Sequence, residues 1–386
     1  MWTERLRRGT GALVAVAVAA ACSSSAPPDV RHAPPLRVQG DLLLAHGENG
    51  TRLSSLAARS GAVHPLPGMG GVTGLSGAEW TASGAAFALL QRPRGESGLY
   101  RVDPDGGATR VGPAVPGPFL FFGPLGVQRF GTSLLGVRRG FAIVSTCFGQ
   151  GAFGPLERRS GVSVLELAHP TEWRRIARGC GEALSPDGRT VVSTDRERKA
   201  LELVSVEGGK ARPLLDLRHF PGVSRASVAD PRVEGASWGP PGLAVAVANG
   251  TDHQYPYGLL VLPTSGSDPD PSDLQVIPLG KAFPDGLAWQ PGGRVLAFTD
   301  CSECPGPFFR STFQHPSADL RLYDLGTGRL RDVAASHDGF QGLVWSPRGD
   351  VLASHWASGE MLFVEAATGR LEREPVDGVP LDWRAP

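Results

Sequence analysis

The sequence predicts an all-β protein: a seven-bladed β-propeller of four-stranded antiparallel blades, closed by a C-terminal strand that pairs into the N-terminal blade. Two observations predict it. First, Gly (52) and Pro (34) punctuate short apolar runs throughout the 386 residues. So much Gly and Pro would indicate disorder if apolar residues were scarce, but they make up 41% of the chain, which reads as many short strands joined by turns. Second, one element recurs, an aromatic or Leu anchor with Gly four places later. It is found at Trp80-TAS-Gly84, Phe122-GPL-Gly126, Leu184-SPD-Gly188, Trp238-GPP-Gly242, Trp289-QPG-Gly293 and Trp345-SPR-Gly349, and begins again at Trp383-RAP. The anchors stand 42, 62, 54, 51, 56 and 38 residues apart, close to the period of a four-stranded blade.

The first residues do not belong to that pattern. Arg5, Arg7 and Arg8 precede the apolar run TGALVAVAVAAA, and Cys22 follows it. A basic flank, a short apolar stretch and a small-residue site make an export signal over 1–21, too short to span a bilayer at about 20 residues. The ending Ala19-Ala20-Ala21-Cys22 resembles a bacterial lipoprotein box. That resemblance implies a lipidated Cys22 as the mature N-terminus and an extracytoplasmic protein anchored to the bacterial cell membrane; an ordinary cleaved signal with a chance Cys is the alternative. Residues 22–36 (CSSSAPPDVRHAPPL) have the Ser/Pro character of a flexible tether, leaving 37–386 for the propeller.

Along that domain each copy of the element continues alike. A first strand ends at the anchor, the Pro-Gly tetrapeptide turns the chain because Pro presets φ and Gly accepts a positive one, and a second apolar strand follows: TVVST, LAVAVA, VLAFTD or VLASH. A third strand comes after a loop (LYRVD, LELVSV, LRLYDL, MLFVEA), and a Gly-bearing turn leads to a short fourth. The stretches 37–47, 53–59 and 63–66 supply strands two to four of a blade that lacks a first strand, whereas VPLDW (379–383) is a first strand without a blade. Joined, they complete the seventh unit and leave no large unpaired edge. An open stack of repeats would leave both segments unpaired.

The WSPDG-like element followed by a short strand, nearest at LSPDG (184–188) and VWSPRG (344–349), resembles the repeats of TolB-type and WD-repeat-like bacterial propellers. The resemblance extends over roughly 37–386 and implies the fold.

In such a blade the connections from strand two to three, and from strand four to the next blade, share one rim. Three of the former are long: 146–161, 249–258 and 300–319; the connection 218–232 joins them on that rim. Long loops in compact domains tend to be functional. These carry Phe148, Phe153, Tyr255, Tyr257, Phe308, Phe309 and Phe313, with Asp252, His253, Glu303 and His315 among them. Aromatics beside polar groups suit a binding surface for an envelope protein or a small ligand. Folding inward to plug the channel is the competing structural role.

Cys147 falls in the long loop of blade three and Cys180 in the connection to blade four, so the topology brings them together as a structural disulfide. Cys301 and Cys304 form CSEC, read as a local disulfide. Pro305-Gly306-Pro307 forbids the helix a thioredoxin-like pair would open, and zinc on Cys301, Cys304 and His315 lacks an evident fourth ligand. Asp268, Asp270 and Asp273 resemble a calcium loop only in their close spacing. No metal, cofactor or catalytic residue is predicted: the chain has no GxSxG, HExxH or P-loop. Charge is balanced at 38 basic and 38 acidic residues, so no global field favours nucleic acid. The expectation is a monomeric, non-catalytic binding propeller. The alternative is a propeller enzyme (hydrolase, lyase or cofactor-dependent dehydrogenase) with polar groups around the central channel.

Overall fold

A computed structural model describes Leu36 and residues 38–385, except 48–49, 94–96, 106, 118–121, 124–125, 128–130, 148–159, 196–198, 220–230, 250–256, 266–267, 281–282, 302–317, 337–338 and 357–358. Seven antiparallel sheets account for nearly all the strands. The first blade is built from both ends of the described chain. Val379–Arg384 is its inner strand, and Asp41–His46, Arg52–Ala57 and Ala62–Pro65 follow outward. Asp41 stands opposite Arg384, and Leu42 opposite Trp383.

The other blades run outward in chain order. The second is Gly74–Trp80, Ala86–Gln91, Gly98–Asp103 and Gly107–Val111; the third Gly131–Arg138, Phe141–Cys147, Gly161–Glu166 and Arg174–Arg178. The fourth is Cys180–Leu184, Thr190–Asp195, Ala200–Ser205 and Arg212–Asp216. In the fifth, Pro231–Gly239, Gly242–Asn249, Tyr257–Ser265 and Gln275–Gly280 pair in turn, with the short Asp268–Pro269 beside the third strand. The sixth is Phe283–Trp289, Val295–Cys301, Ala318–Asp324 and Arg329–Ser336, and the seventh Phe340–Trp345, Val351–Trp356, Glu360–Glu365 and Leu371–Glu374. Each inner strand touches the inner strand of the next blade all the way round, and Val379–Arg384 touches both Phe340–Trp345 and Gly74–Trp80. The chain is therefore a closed seven-bladed propeller, the fold that the TolB-like and WD-like motifs predict.

Alternation along each strand sends successive side chains to opposite faces, so the core lies between sheets. Among the described residues there is one apolar cluster at each blade-to-blade seam. The seam of blades seven and one holds Leu42, Leu44 and Leu56 against Val351, Ala353, Met361 and Phe363; the seam of three and four holds Ile143, Val162 and Val164 against Val191 and Val206. Each fully buried Leu or Val adds about 1.5–3 kcal/mol of transfer free energy, so closing the ring buries one more core than an open array would.

The anchor tryptophans also join blades by hydrogen bonds. The indole Nε1 of Trp80 donates to Asp41 O at 3.1 Å, Trp289 to Ser237 O at 3.1 Å and Trp345 to Ala288 O at 2.9 Å, each carbonyl belonging to the preceding blade. Trp383 donates instead to Gln39 O at 3.0 Å. At the closure, Arg384 Nη2 and Nε donate to Asp41 Oδ2 at 2.7 and 3.0 Å, and Nη1 donates to Gly84 O at 2.8 Å. The guanidinium also lies 4.1 Å from the centre of the Trp80 ring. Asp382 Oδ2 accepts the Trp80 N–H at 2.8 Å, carrying the latch into blade two.

One anchor assignment is corrected. Phe122–Gly123 and Gly126–Val127 are two-residue strands that pair only with each other, outside the blades. Blade three has Gly131–Arg138 as its inner strand, and Val137, opposite Ala142, occupies the place that Trp345 holds opposite Leu352. The Arg138↔Phe141 hairpin has no aromatic before it and no Pro within it, so the repeat does not mark it.

A second recurrence lies three residues before the anchor, at Gly77, Gly181, Gly235, Gly286 and Gly342 in five of the blades. All seven pairings of inner and second strand carry a register shift near this level, and such a bulge increases the twist where the strands crowd the axis. A Cβ on Gly342, at φ +67°, would lie 2.5 Å from Pro380 O of the next blade; one on Gly77 would lie 2.9 Å from Leu134 Cβ. Phe122 has Phe119 at that position.

Candidate functional site: the loop-rich rim

Strand ends define two unequal rims. The inner-to-second turns are tight and interlocked: Gln290 Nε2 of blade six donates to Gly349 O of blade seven at 2.6 Å, and a Cβ on Gly188 would meet Arg138 of the preceding blade. The other rim receives the second-to-third connections and the crossings to the next blade. The segments 112–130, 148–160, 217–230 and 302–317 all leave and re-enter described strands there.

Most predicted binding residues fall outside the described residues: Phe148, Phe153, Asp252, His253, Tyr255, Glu303, Phe308, Phe309, Phe313 and His315, together with Cys304 and Cys22. Tyr257 opens the strand Tyr257–Ser265 and Cys301 closes Val295–Cys301, so both backbone positions are at this rim.

Cys147, the last residue of its strand in blade three, and Cys180, the first of blade four, are joined by a disulfide with Cα atoms 5.2 Å apart. It ties the two blades at the rim, beside the segment 148–159. Nearby, the hydroxyls of Thr132 and Thr146 both donate to Pro116 O, at 2.7 and 2.9 Å, pinning the start of the 112–130 crossing to blade three.

The rim also holds two polar groups that sequence reading did not single out. Between blades five and six, Asp300 is 1% exposed, with Oδ2 2.5 Å from Arg321 Nη1. Arg321 Nε reaches Asp332 Oδ1 at 2.8 Å and Nη2 reaches Asp319 Oδ2 at 3.3 Å. One guanidinium thus serves three carboxylates. Burial pushes the Asp300 carboxyl up to about 6 against the pull of Arg321, and Asp319 and Asp332 push the same way.

Between blades seven and one lie His46, Ser54, His355 and Asp377. The even positions Leu42 and Leu44 face blade seven, and His46 continues that row; Val351 and Ala353 face blade one, and His355 continues theirs. The signal was present: LLLAH and VLASH each place a His near the end of a second strand, and ring closure makes those strands neighbours. Burial holds both imidazoles below the ordinary histidine value.

The Asp-rich hairpin of blade five has local uses for its carboxylates. Asp268 Oδ2 accepts from Arg212 Nη2 at 2.6 Å, and Asp270 Oδ1 accepts from Ser272 N at 2.8 Å, capping the turn Pro271–Asp273. Among the described residues no group of three or more His, Cys, Asp or Glu could hold a metal ion.

No protein-family model and no curated protein sequence matches the chain. Solved structures share the fold. A prolyl endopeptidase structure aligns with 12% identity and a TM-score of 0.55 over 89% of this chain and 51% of that one, so the chain spans about half its length. A chain of the mitotic checkpoint complex aligns with 14% identity and a TM-score of 0.50 over 94% and 98%. A candidate TolB from Agrobacterium tumefaciens aligns with 13% identity and a TM-score of 0.42 over 77% and 89%. The first two likenesses establish a propeller and nothing of its chemistry, since the fold hosts unrelated activities.

Proposed function

We propose that this protein is a lipid-anchored, extracytoplasmic propeller that binds a protein or a small ligand through its loop-rich rim, without catalysis. One observation carries the reading: the segments 112–130, 148–160, 217–230 and 302–317 open on the same rim, while the inner-to-second turns of the other rim are tight. Residues that suit contact with a partner, Tyr255, Phe308, Phe309 and Phe313, are concentrated in the second-to-third connections of blades five and six, and Tyr257 opens the strand that follows the first of these. The buried acid and imidazole groups lie in separate seams between blades, Asp300 with Arg321 and His46 with His355. Arg5, Arg7 and Arg8, the apolar run and Cys22 support export and lipidation.

The test is co-purification from detergent-solubilised membranes, comparing the wild type with Tyr255→Ala/Tyr257→Ala/Phe309→Ala. The reading expects a partner that the variant loses while its thermal unfolding stays within a few degrees. A destabilised variant that keeps every partner would instead place the aromatics in a plug. Intact mass of the mature protein tests the anchor: a chain beginning at Cys22 without added lipid contradicts it.

A further inference from the structure

The apolar core of the seam between blades seven and one ends, at the loop-rich rim, in a polar group. His46 closes the strand Asp41–His46 on blade one; its Nε2 contacts Ser54 Oγ, and a Cβ on Gly378 would stand 2.6 Å from its Cε1. His355 comes from blade seven and is 7% exposed, and its Nδ1 has no hydrogen-bond partner. Asp377 Oδ1 lies 3.5 Å from His355 Nε2, and its side chain is 72% exposed. Asp377 and Gly378 belong to the short connection that leads into Val379–Arg384, the strand that closes the ring.

The charges around the two rings are few. Asp377 acts on both imidazoles, while Arg52, next to Ser54 in the same strand, and the second imidazole act on His46 as positive neighbours. A single solvated carboxylate therefore stands against two imidazoles that would each become cationic in a seam with an apolar floor.

We propose that His46 and His355 form an acid-sensitive latch on ring closure: neutral, they pack under the 375–378 connection; protonated, they drive it and the closing strand away from blade seven. The direction follows from burial. A histidine whose value in the closed state lies below its free value leaves the closed state fully stable above about pH 6.5, and that stability is lost as pH falls. At about pH 5 a freed imidazole is protonated over neutral by about thirtyfold, the ceiling on what opening gains at each ring. Asp377 offsets part of this at each ring.

Amide hydrogen exchange on the full chain tests the latch. Protection of 379–384 and 41–46, corrected for intrinsic rate, is compared with that of Thr190–Asp195 and Ala200–Ser205 in blade four at about pH 7.5 and about pH 5. The expected result is a loss of about tenfold or more at the seam beyond any change in blade four, abolished in His46→Gln/His355→Gln. Asp377→Asn, at an exposed position, should enlarge the loss, because the closed state then has no counter-charge; it also serves as the readout should the double variant not fold. Equal changes in the two blades, a seam-specific loss that survives the double variant, or an Asp377→Asn response no larger than the wild type's would each overturn the proposal.

Discussion

Trp345 and Trp238 occupy equivalent places in their blades and are 5% and 8% exposed, yet their indole groups are differently served. Trp345 Nε1 donates to Ala288 O at 2.9 Å, whereas Trp238 Nε1 is buried without a partner. Replacing each by Phe removes similar buried area, so the packing losses cancel in the comparison. Trp345→Phe additionally gives up a cross-blade hydrogen bond, a net contribution of about 1 kcal/mol. Trp238→Phe instead relieves a desolvated donor, a gain of about 1 kcal/mol or more. Trp345→Phe should therefore be the more destabilising of the two by about 2 kcal/mol. Urea unfolding of both variants, with slopes matching the wild type's, reads the difference from the midpoints. Equal costs, or a larger cost for Trp238→Phe, would refute the view that these indoles act as hydrogen-bonded staples between blades.

Two further predictions rest on single sites. Cys147 and Cys180 are separated by 33 residues, and a crosslink of that span restricts the unfolded chain by about 3–4 kcal/mol. Cys147→Ser/Cys180→Ser should lose most of that in denaturant unfolding, and an unchanged midpoint would mean that the bridge adds nothing. Asp300, pushed up to about 6 in the folded protein, takes up protons more readily folded than unfolded, so its contribution is most favourable at low pH and is lost as pH rises from about 4 through about 6. Asp300→Asn should remove up to about 2–3 kcal/mol of that slope, read from Tm against pH; a slope identical to the wild type's would contradict the burial of the charge. This trend opposes the one expected from His46 and His355, so the variants rather than the wild-type curve separate them.

Much of the fold was legible because a propeller repeats its solution. The anchor-to-Gly element marks the end of six inner strands, including the stray one at Val379–Arg384. It failed at blade three, whose hairpin has the length of the one in blade five but carries Val137 in place of the aromatic and Arg139-Gly140 in place of Pro240-Pro241, while FGPLG offered a decoy. The glycine three places before the anchor accompanies crowding at the axis in blades two, four, five, six and seven, but Leu134 and Pro380 stand there in blades three and one, so it does not mark those two either. The rim was less legible. Cys147 and Cys180 could be paired because blade order alone makes them neighbours. Asp300 with Arg321, and His46 with His355, come together only through the register of strands 21 residues apart in the first case and through ring closure in the second. Neither shows as a local spacing of ligand or catalytic residues.

Equilibrium unfolding of a variant lacking residues 379–386 bears most directly on the closed ring. That segment supplies the inner strand of blade one, the Trp383 side of the core between blades seven and one, and the Arg384 link to Asp41 and Gly84. Its loss should lower stability of the entire propeller, with far-ultraviolet circular dichroism and tryptophan fluorescence reporting the same reduced midpoint. A shortened chain that unfolds at the midpoint of the full-length protein would contradict closure by the two chain ends.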